Sequence, residues 1–314
     1  MVDSLSRWCL FCDLEVHPST EHAPQPLLQD YVEDLIALTE RGEAKRVFEN
    51  ETRVTRIAQA REITLPDGGQ ALAMLITLGD RRGSDPTFIH FEDGIARDPE
   101  KLAGEVRGVS AHVLVRLTQD EEAVGRYRML LEEIRGIGRT PVTRLLAACL
   151  KEVSETRGDQ FRNPTTNRMN AYRPIIEVHP RRSKAMADAL DGGAFLPVEL
   201  LDTSPVPVFD EHPEYSVRRH LLSVKVKPAP GRTVREAMQD LAAMASANGY
   251  DRMRVTWRNP GEQRGGTSEM NTDLADVGTA LFAHREVIDV ENPMTDCAPT
   301  INDEFLEAMA GHMV

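Results

Sequence analysis

The sequence predicts a mixed α+β fold in two units, a larger α+β globular unit and a smaller one built of strands and two helices. Three observations carry this. At 314 residues the chain exceeds the commonest size of a single domain. Its apolar residues switch between a period of two and a period near 3.6, so strands and helices alternate along the chain. Residues 172–258 then show six elements in the order strand, helix, strand, strand, helix, strand. That is the split-βαβ, ferredoxin-like (βαββαβ) order, in which two helices cover one face of a four-stranded antiparallel sheet and leave an open sheet face.

From the start, residues 7–16 read as a strand, followed by a helix with Leu28, Tyr31, Val32, Leu35 and Ile36 on one face and Gly42 as its stop. Alternation in 53–65 and 71–78 around the turn Pro66-Asp67-Gly68-Gly69 predicts a hairpin. Two short strands are expected at 87–91 and 109–117. Asp120 then caps an expected helix with Glu121 and Glu122 in its first turn and Val124, Tyr127, Leu131 and Ile134 as its stripe. A further helix from Pro141 carries Val142, Leu145, Leu146, Cys149 and Val153, and fades into the polar stretch 154–170, the expected hinge.

The six-element stretch comprises strand 172–179, helix 181–191, strands 195–201 and 217–227, helix 232–248 and strand 250–258. Its second helix has a capping box in Thr233 and Glu236, a stripe of Val234, Ala237, Met238, Leu241 and Ala245, and a stop at Asn248-Gly249. A Gly-rich loop, 259–271, a strand near 281–287 and a helix with Phe305, Leu306 and Met309 follow. The units expected are thus 1–160, completed by 272–314, and 161–271.

Composition narrows the classes. Hydrophobic residues are 41% and charged residues 28%, the balance of a globular chain. No stretch is long and apolar enough to span a bilayer, and the first residues lack an export signal, so a cytoplasmic location is expected. Four cysteines do not make a disulfide framework. Cys9 and Cys12 have CxxC spacing, but three residues apart on one strand they face opposite ways, which argues against a shared metal. The net charge is −13, yet residues 157–268 hold 17 Lys/Arg against 13 Asp/Glu, leaving the remainder strongly acidic.

Period two sorts the charges of the smaller unit. Leu222, Val224 and Val226 alternate with Lys225 and Lys227; Met253, Val255 and Trp257 alternate with Arg252, Arg254 and Arg258. With the apolar sets under the helices, these cations emerge together on the uncovered face. Arg218, Arg219 and Arg264 near strand ends, and Arg181, Arg182 and Lys184 at the first helix, extend the patch. Such a face suits the phosphates of double-stranded DNA, where displaced counterions supply affinity without base reading; a solvated face or a dimer surface is the plainer alternative. A second candidate is the run IRGIGRTPV, a helix-hairpin-helix pattern in which Gly136, Gly138, Arg139 and Thr140 would offer backbone N–H groups to phosphate.

Nothing points to catalysis. P-loop, GxGxxG, HExxH and GxSxG signatures are missing. His90, His112, His179 and His284 are dispersed and read as structural; no catalytic residue, metal ligand or cofactor is expected.

The order and spacing of GVSAHVLVRL, IRGIGRTPV, YRPIIEVHP, LLSVKVKPAPGRTVREAMQDL with YDRMRVTWR, and PTINDEFLEAM resemble the Rex-type phage exclusion proteins, in their cytoplasmic component, over residues 71–309. The resemblance implies a homodimer with a globular part and a dimerisation part. It also implies DNA binding with little sequence preference, in an exclusion or defence system whose other component is a membrane channel. No catalytic residue carries over, and 154–170 has no counterpart. The competing expectation is an acidic adaptor that binds a nucleic-acid enzyme in place of DNA.

Overall fold

The computed structural model describes residues 4–48, 50–120, 123–181, 195–202, 220–226, 234–250, 252–258, 265–271 and 283–313. The fold is mixed α+β, and the chain divides into two compact units, Met1–His179 with Arg285–Val314, and Pro180–His284. The larger unit rests on an antiparallel sheet whose first half contains β1 (Ser6–Pro18), β2 (Lys45–Phe48), β3 (Arg53–Thr64) and β4 (Gln70–Asp80). A small hairpin, β5 (Phe88–Ile89) and β6 (Ala96–Arg97), intervenes before β7 (Arg107–Asp120) and β8 (Ala123–Glu132). A second hairpin, β9 (Gln160–Arg162) and β10 (Met169–Ala171), precedes β11 (Pro174–Pro180). Strand order in the large sheet is β11-β1-β8-β7-β4-β3-β2.

Strands buried on both faces lose polar alternation. That is the state of β4, where Ala71 through Ile76 are all buried. One face, with Ala71, Ala73, Leu75, Leu114 and Leu130, packs on the last helix through Phe305, Leu306 and Met309. Helices α1 (Val32–Glu40) and α2 (Arg139–Arg157) pack on β3 and β2 and bury Leu35, Leu145 and Leu146.

The helix expected from Asp120 to Ile134 is instead strand β8. Tyr127, Met129 and Leu131 satisfy a period of two as well as a helical stripe, and pairing on both edges decides between them. Leu131 sits opposite Leu10 of β1 and Val113 of β7. Gly125 reinforces the choice: at φ +79° a Cβ there would lie 2.5 Å from the Val16 carbonyl oxygen, space that only glycine leaves.

At the far end of β8, Glu132 belongs to a buried polar network. Its Oε1 is 3.1 Å from Arg7 Nε, and both side chains are almost wholly buried. Oε2 accepts from the His112 backbone N–H (2.9 Å) and lies 2.7 Å from His112 Nδ1. His112 Nε2 accepts the Asn302 N–H at 3.0 Å, which fixes the ring proton on Nδ1. Arg7 Nη2 donates to the Thr295 carbonyl. The last helix, Asp303–Gly311, thus starts on a buried polar network rooted in β1, β7 and β8.

The 154–170 hinge is corrected too. Helix α2 runs through its first residues and ends at Gly158, and Asp159 then gathers Tyr31 Oη (2.8 Å) and Ser154 Oγ (2.8 Å), while Arg157 stacks over the Tyr31 ring. A segment tied at both ends of a hairpin does not swivel freely.

The ferredoxin-like order is revised. The strand expected to open it, 172–179, is β11, an edge of the large sheet beside β1. The smaller unit holds β12 (Phe195–Asp202), β13 (His220–Val224), helix α3 (Val234–Ala247), β14 (Arg252–Arg258) and β15 (Gly265–Asn271), in sheet order β13-β12-β14-β15. β12 is antiparallel to both β13 and β14, so these two run parallel, and α3 carries the chain from one to the other across β12. The split βαβ survives with β12 in the place expected for 172–179. β15 comes from the expected Gly-rich loop; the expected helix 181–191 falls outside the described residues except Arg181.

After the smaller unit, β16 (Arg285–Asp289) pairs with β1 on the edge that β11 also occupies, and α4 (Asp303–Gly311) follows. The His284 N–H donates to the Arg181 carbonyl at 2.7 Å, so the smaller unit leaves and re-enters the large sheet through one closed stem.

Candidate nucleic-acid interface

Helix α3 settles which face of the small sheet is covered. Met238, Ala242 and Ala245 pack against Val198, Leu200, Met253 and Val255. Arg254, between Met253 and Val255, therefore belongs to the other face, in register with Glu199 of β12 and Glu269 of β15. Arg252 and Arg258 occupy alternate positions of the same strand. Lys225, just past β13 and two residues beyond Ser223, which pairs with Glu199, is exposed.

The expectation that two neighbouring strands supply the cations is corrected, because β12 lies between β13 and β14. Its Glu199 takes Arg254 as a partner, Nη1 to Oε2 at 3.1 Å, with both side chains about a third exposed. Leu201, on the same side, is buried, so this face is not uniformly open. Arg181 is half-buried at the stem. Arg182, Lys184, Arg218, Arg219, Lys227 and Arg264 lie outside the described residues. Counted on the observed division, the smaller unit has 13 Lys/Arg against 14 Asp/Glu and the larger 24 against 36. The basic excess of 157–268 depended on boundaries that the fold does not keep.

The helix-hairpin-helix is likewise corrected. A strand, β8, precedes the turn, and Ile137 N–H closes it on the Ile134 carbonyl at 2.9 Å. Gly136 is there for space and dihedral: φ is +97°, and a Cβ would meet Leu78 at 2.8 Å. Gly138 is the uncapped N-terminus of α2, with Arg139 half-buried and Thr140 exposed. A strand-to-helix junction explains the glycines without a ligand.

Two features escaped the sequence. Glu199 looked like any strand residue, since nothing local revealed its cross-strand neighbour. The other is the excursion between β4 and β7, where Phe88, Ile89, Phe91, Ile95 and Leu102 are all more than half exposed. Polar contacts within it include Thr87 to Asp98, Lys101 to Asp85, and Arg97 over the Phe88 ring. The sequence predicts a short strand at 87–91 but gives no sign of its exposure.

Among the described residues no group of three or more His, Cys, Asp or Glu side chains is arranged to hold a metal, and no helix is long and apolar enough to cross a membrane. A cavity of about 570 Å3 beside α2 has a rim of mixed sign, with Arg46, Lys151 and Arg173 facing Glu152 and Glu155.

The cysteines give a direct check on burial. Cys9 and Cys12 are inaccessible on opposite faces of β1, and burial pushes the Cys12 and Cys149 thiols up to about 12 and Cys9 further. Cys297 is exposed. Thiolates react, thiols do not. Partial desolvation and Asp296 raise the Cys297 thiol too, so exposure is what separates it from the others: in the native protein one thiol equivalent is expected to react with a disulfide reagent, faster as pH rises, and the other three only after unfolding; a second native equivalent would contradict the packing of β1 or α2.

No protein-family model, curated protein or solved structure matches the chain.

Proposed function

We propose that the chain is a self-associating protein that binds double-stranded DNA with little sequence preference, through the side of the small sheet that α3 leaves uncovered. The observation that carries the reading is the register of β14, which puts the positions of Arg252, Arg254 and Arg258 at alternate places on one side of the strand, together with exposed Lys225 two residues beyond Ser223, the partner of Glu199. Alternate residues of a strand are about 6.6–6.8 Å apart, so the row can follow a phosphate backbone. Contacts of that kind set position and affinity, not base choice. Because the unit as a whole is balanced in charge, affinity rests on this local grouping. The Rex-type resemblance adds self-association, a role in phage exclusion or defence, and a membrane-channel partner as parts of the same proposal.

Salt titration tests it. Each phosphate contact contributes about −0.9 to the slope of log K against log salt. The triple variant K225Q/R252Q/R258Q is expected to bind a linear duplex more weakly, with a slope shallower by roughly 2 to 3. Equal affinity and slope for wild type and variant would dismiss the face.

A second reading is favoured by the exposed apolar excursion and the acidic larger unit: an adaptor that binds a protein, such as the basic site of a nucleic-acid enzyme. Failure of the wild type to shift plasmid DNA at low salt, together with stoichiometric binding to a purified nuclease that F88S/F91S abolishes, would replace the first reading by this one.

A further inference from the structure

We propose that Glu199 is a built-in competitor of phosphate, a carboxylate that holds Arg254 until a nucleic-acid backbone displaces it. This rests on the DNA-binding reading and specifies how the face is regulated.

The register isolates the middle cation of the row. Arg254 has carboxylate residues as neighbours on both sides, Glu199 on β12 and Glu269 on β15. Arg252 pairs instead with Leu201 and Asn271, and Arg258 with Gly265. The Glu199 contact has the geometry of a charge-assisted hydrogen bond at 3.1 Å. A guanidinium offers the same planar fork to a carboxylate and to a phosphate, so the two acceptors compete for one donor set. The pair is accessible enough for exchange: 27% of the Arg254 side chain and 34% of Glu199 remain exposed.

The device has a consequence for selectivity. A ligand with a single anionic group gains little by displacing Glu199, because it trades one ion pair for another. A polyanion long enough to reach exposed Lys225 and the strand positions of Arg252 and Arg258 can add contacts to the same displacement. Glu199 would thus lower affinity for isolated phosphates more than for a continuous duplex.

The test uses the full chain and a linear DNA duplex. E199Q keeps an acceptor for Arg254 and removes the charge. It is expected to tighten duplex binding by roughly 3- to 10-fold at low salt and to steepen the log–log salt slope by about 0.9, one further phosphate contact. E199Q/R254Q should lose the gain. D240N, an equal change of net charge at an exposed position of α3, should leave the slope unchanged. A thermal midpoint equal to that of the wild type is the check that each variant is folded. If wild type binds and E199Q matches it in affinity and slope, or if R254Q fails to cancel the gain, the competitor role is overturned while DNA binding stands. If neither wild type nor E199Q binds the duplex, the DNA reading itself fails and takes this inference with it.

Discussion

Replacing Glu132 with alanine is expected to cost the larger unit about 3–5 kcal/mol, the range for leaving one member of a buried ion pair uncompensated. Against a typical total of roughly 5–15 kcal/mol, that loss brings the unit near unfolding. The size follows from what Glu132 holds. Without it the Arg7 guanidinium, almost wholly buried, keeps its charge and loses its counterion. The His112 ring loses the acceptor for its Nδ1 proton, and its backbone N–H loses one as well. The damage spreads to the C-terminal segment, because His112 Nε2 accepts from Asn302 and the ring stands edge-on to Phe305 at 5.2 Å. Urea unfolding of wild type, E132A and E132Q measures the effect. E132Q, which keeps an acceptor, should fall between the other two. R7M/E132L/H112F, which removes every charge at once, should cost less than E132A alone, since the penalty lies in the stranded charge. A midpoint for E132A within error of wild type would show that the network bears little of the stability.

Excising the smaller unit is the second large effect. A chain in which a short Gly-Ser linker replaces residues 182–283 is expected to fold, to unfold in one cooperative transition, and to lose all duplex binding. Insertions tolerate removal when their ends are close and the host keeps its own hydrogen bonds. Both conditions are met: His284 N–H already bonds to the Arg181 carbonyl, and every strand of the large sheet, β11 and β16 included, finds its partners outside the excised residues. The loss of binding follows because all four cations invoked, Lys225, Arg252, Arg254 and Arg258, are excised. Loss of cooperative unfolding would show that the larger unit needs its insert, and retained DNA affinity would move the binding site elsewhere.

The sequence disclosed elements better than it disclosed their neighbours. β1, the β3–β4 hairpin, α2, α3 and α4 announce themselves through turn residues, stops and a single clear period. β8 does not, because Tyr127, Met129 and Leu131 fit two periods at once, and of the two pairings that choose between them one is with neighbouring β7 and the other lies more than a hundred residues away in β1. The strand at 172–179 was visible as a strand, but its sheet was not, since nothing in Pro174-Ile175-Ile176 distinguishes β1 from β12 as a partner. The candidate site shows the same division. Alternation put Arg254 opposite the α3 face, whereas Glu199, in contact with it in space and 55 positions away in sequence, had no local mark.

The pairing of β1 with β16 sets a timetable for synthesis. Strand β1 leaves the ribosome well before the residues, beginning at Arg285, that complete one of its edges, and the Arg7 guanidinium reaches its Thr295 acceptor later still. At about 5–20 residues per second, that delay is on the order of 15–60 s. Through that interval one edge of β1 waits for β16, and the apolar sheet face that Phe305, Leu306 and Met309 later cover has no helix over it.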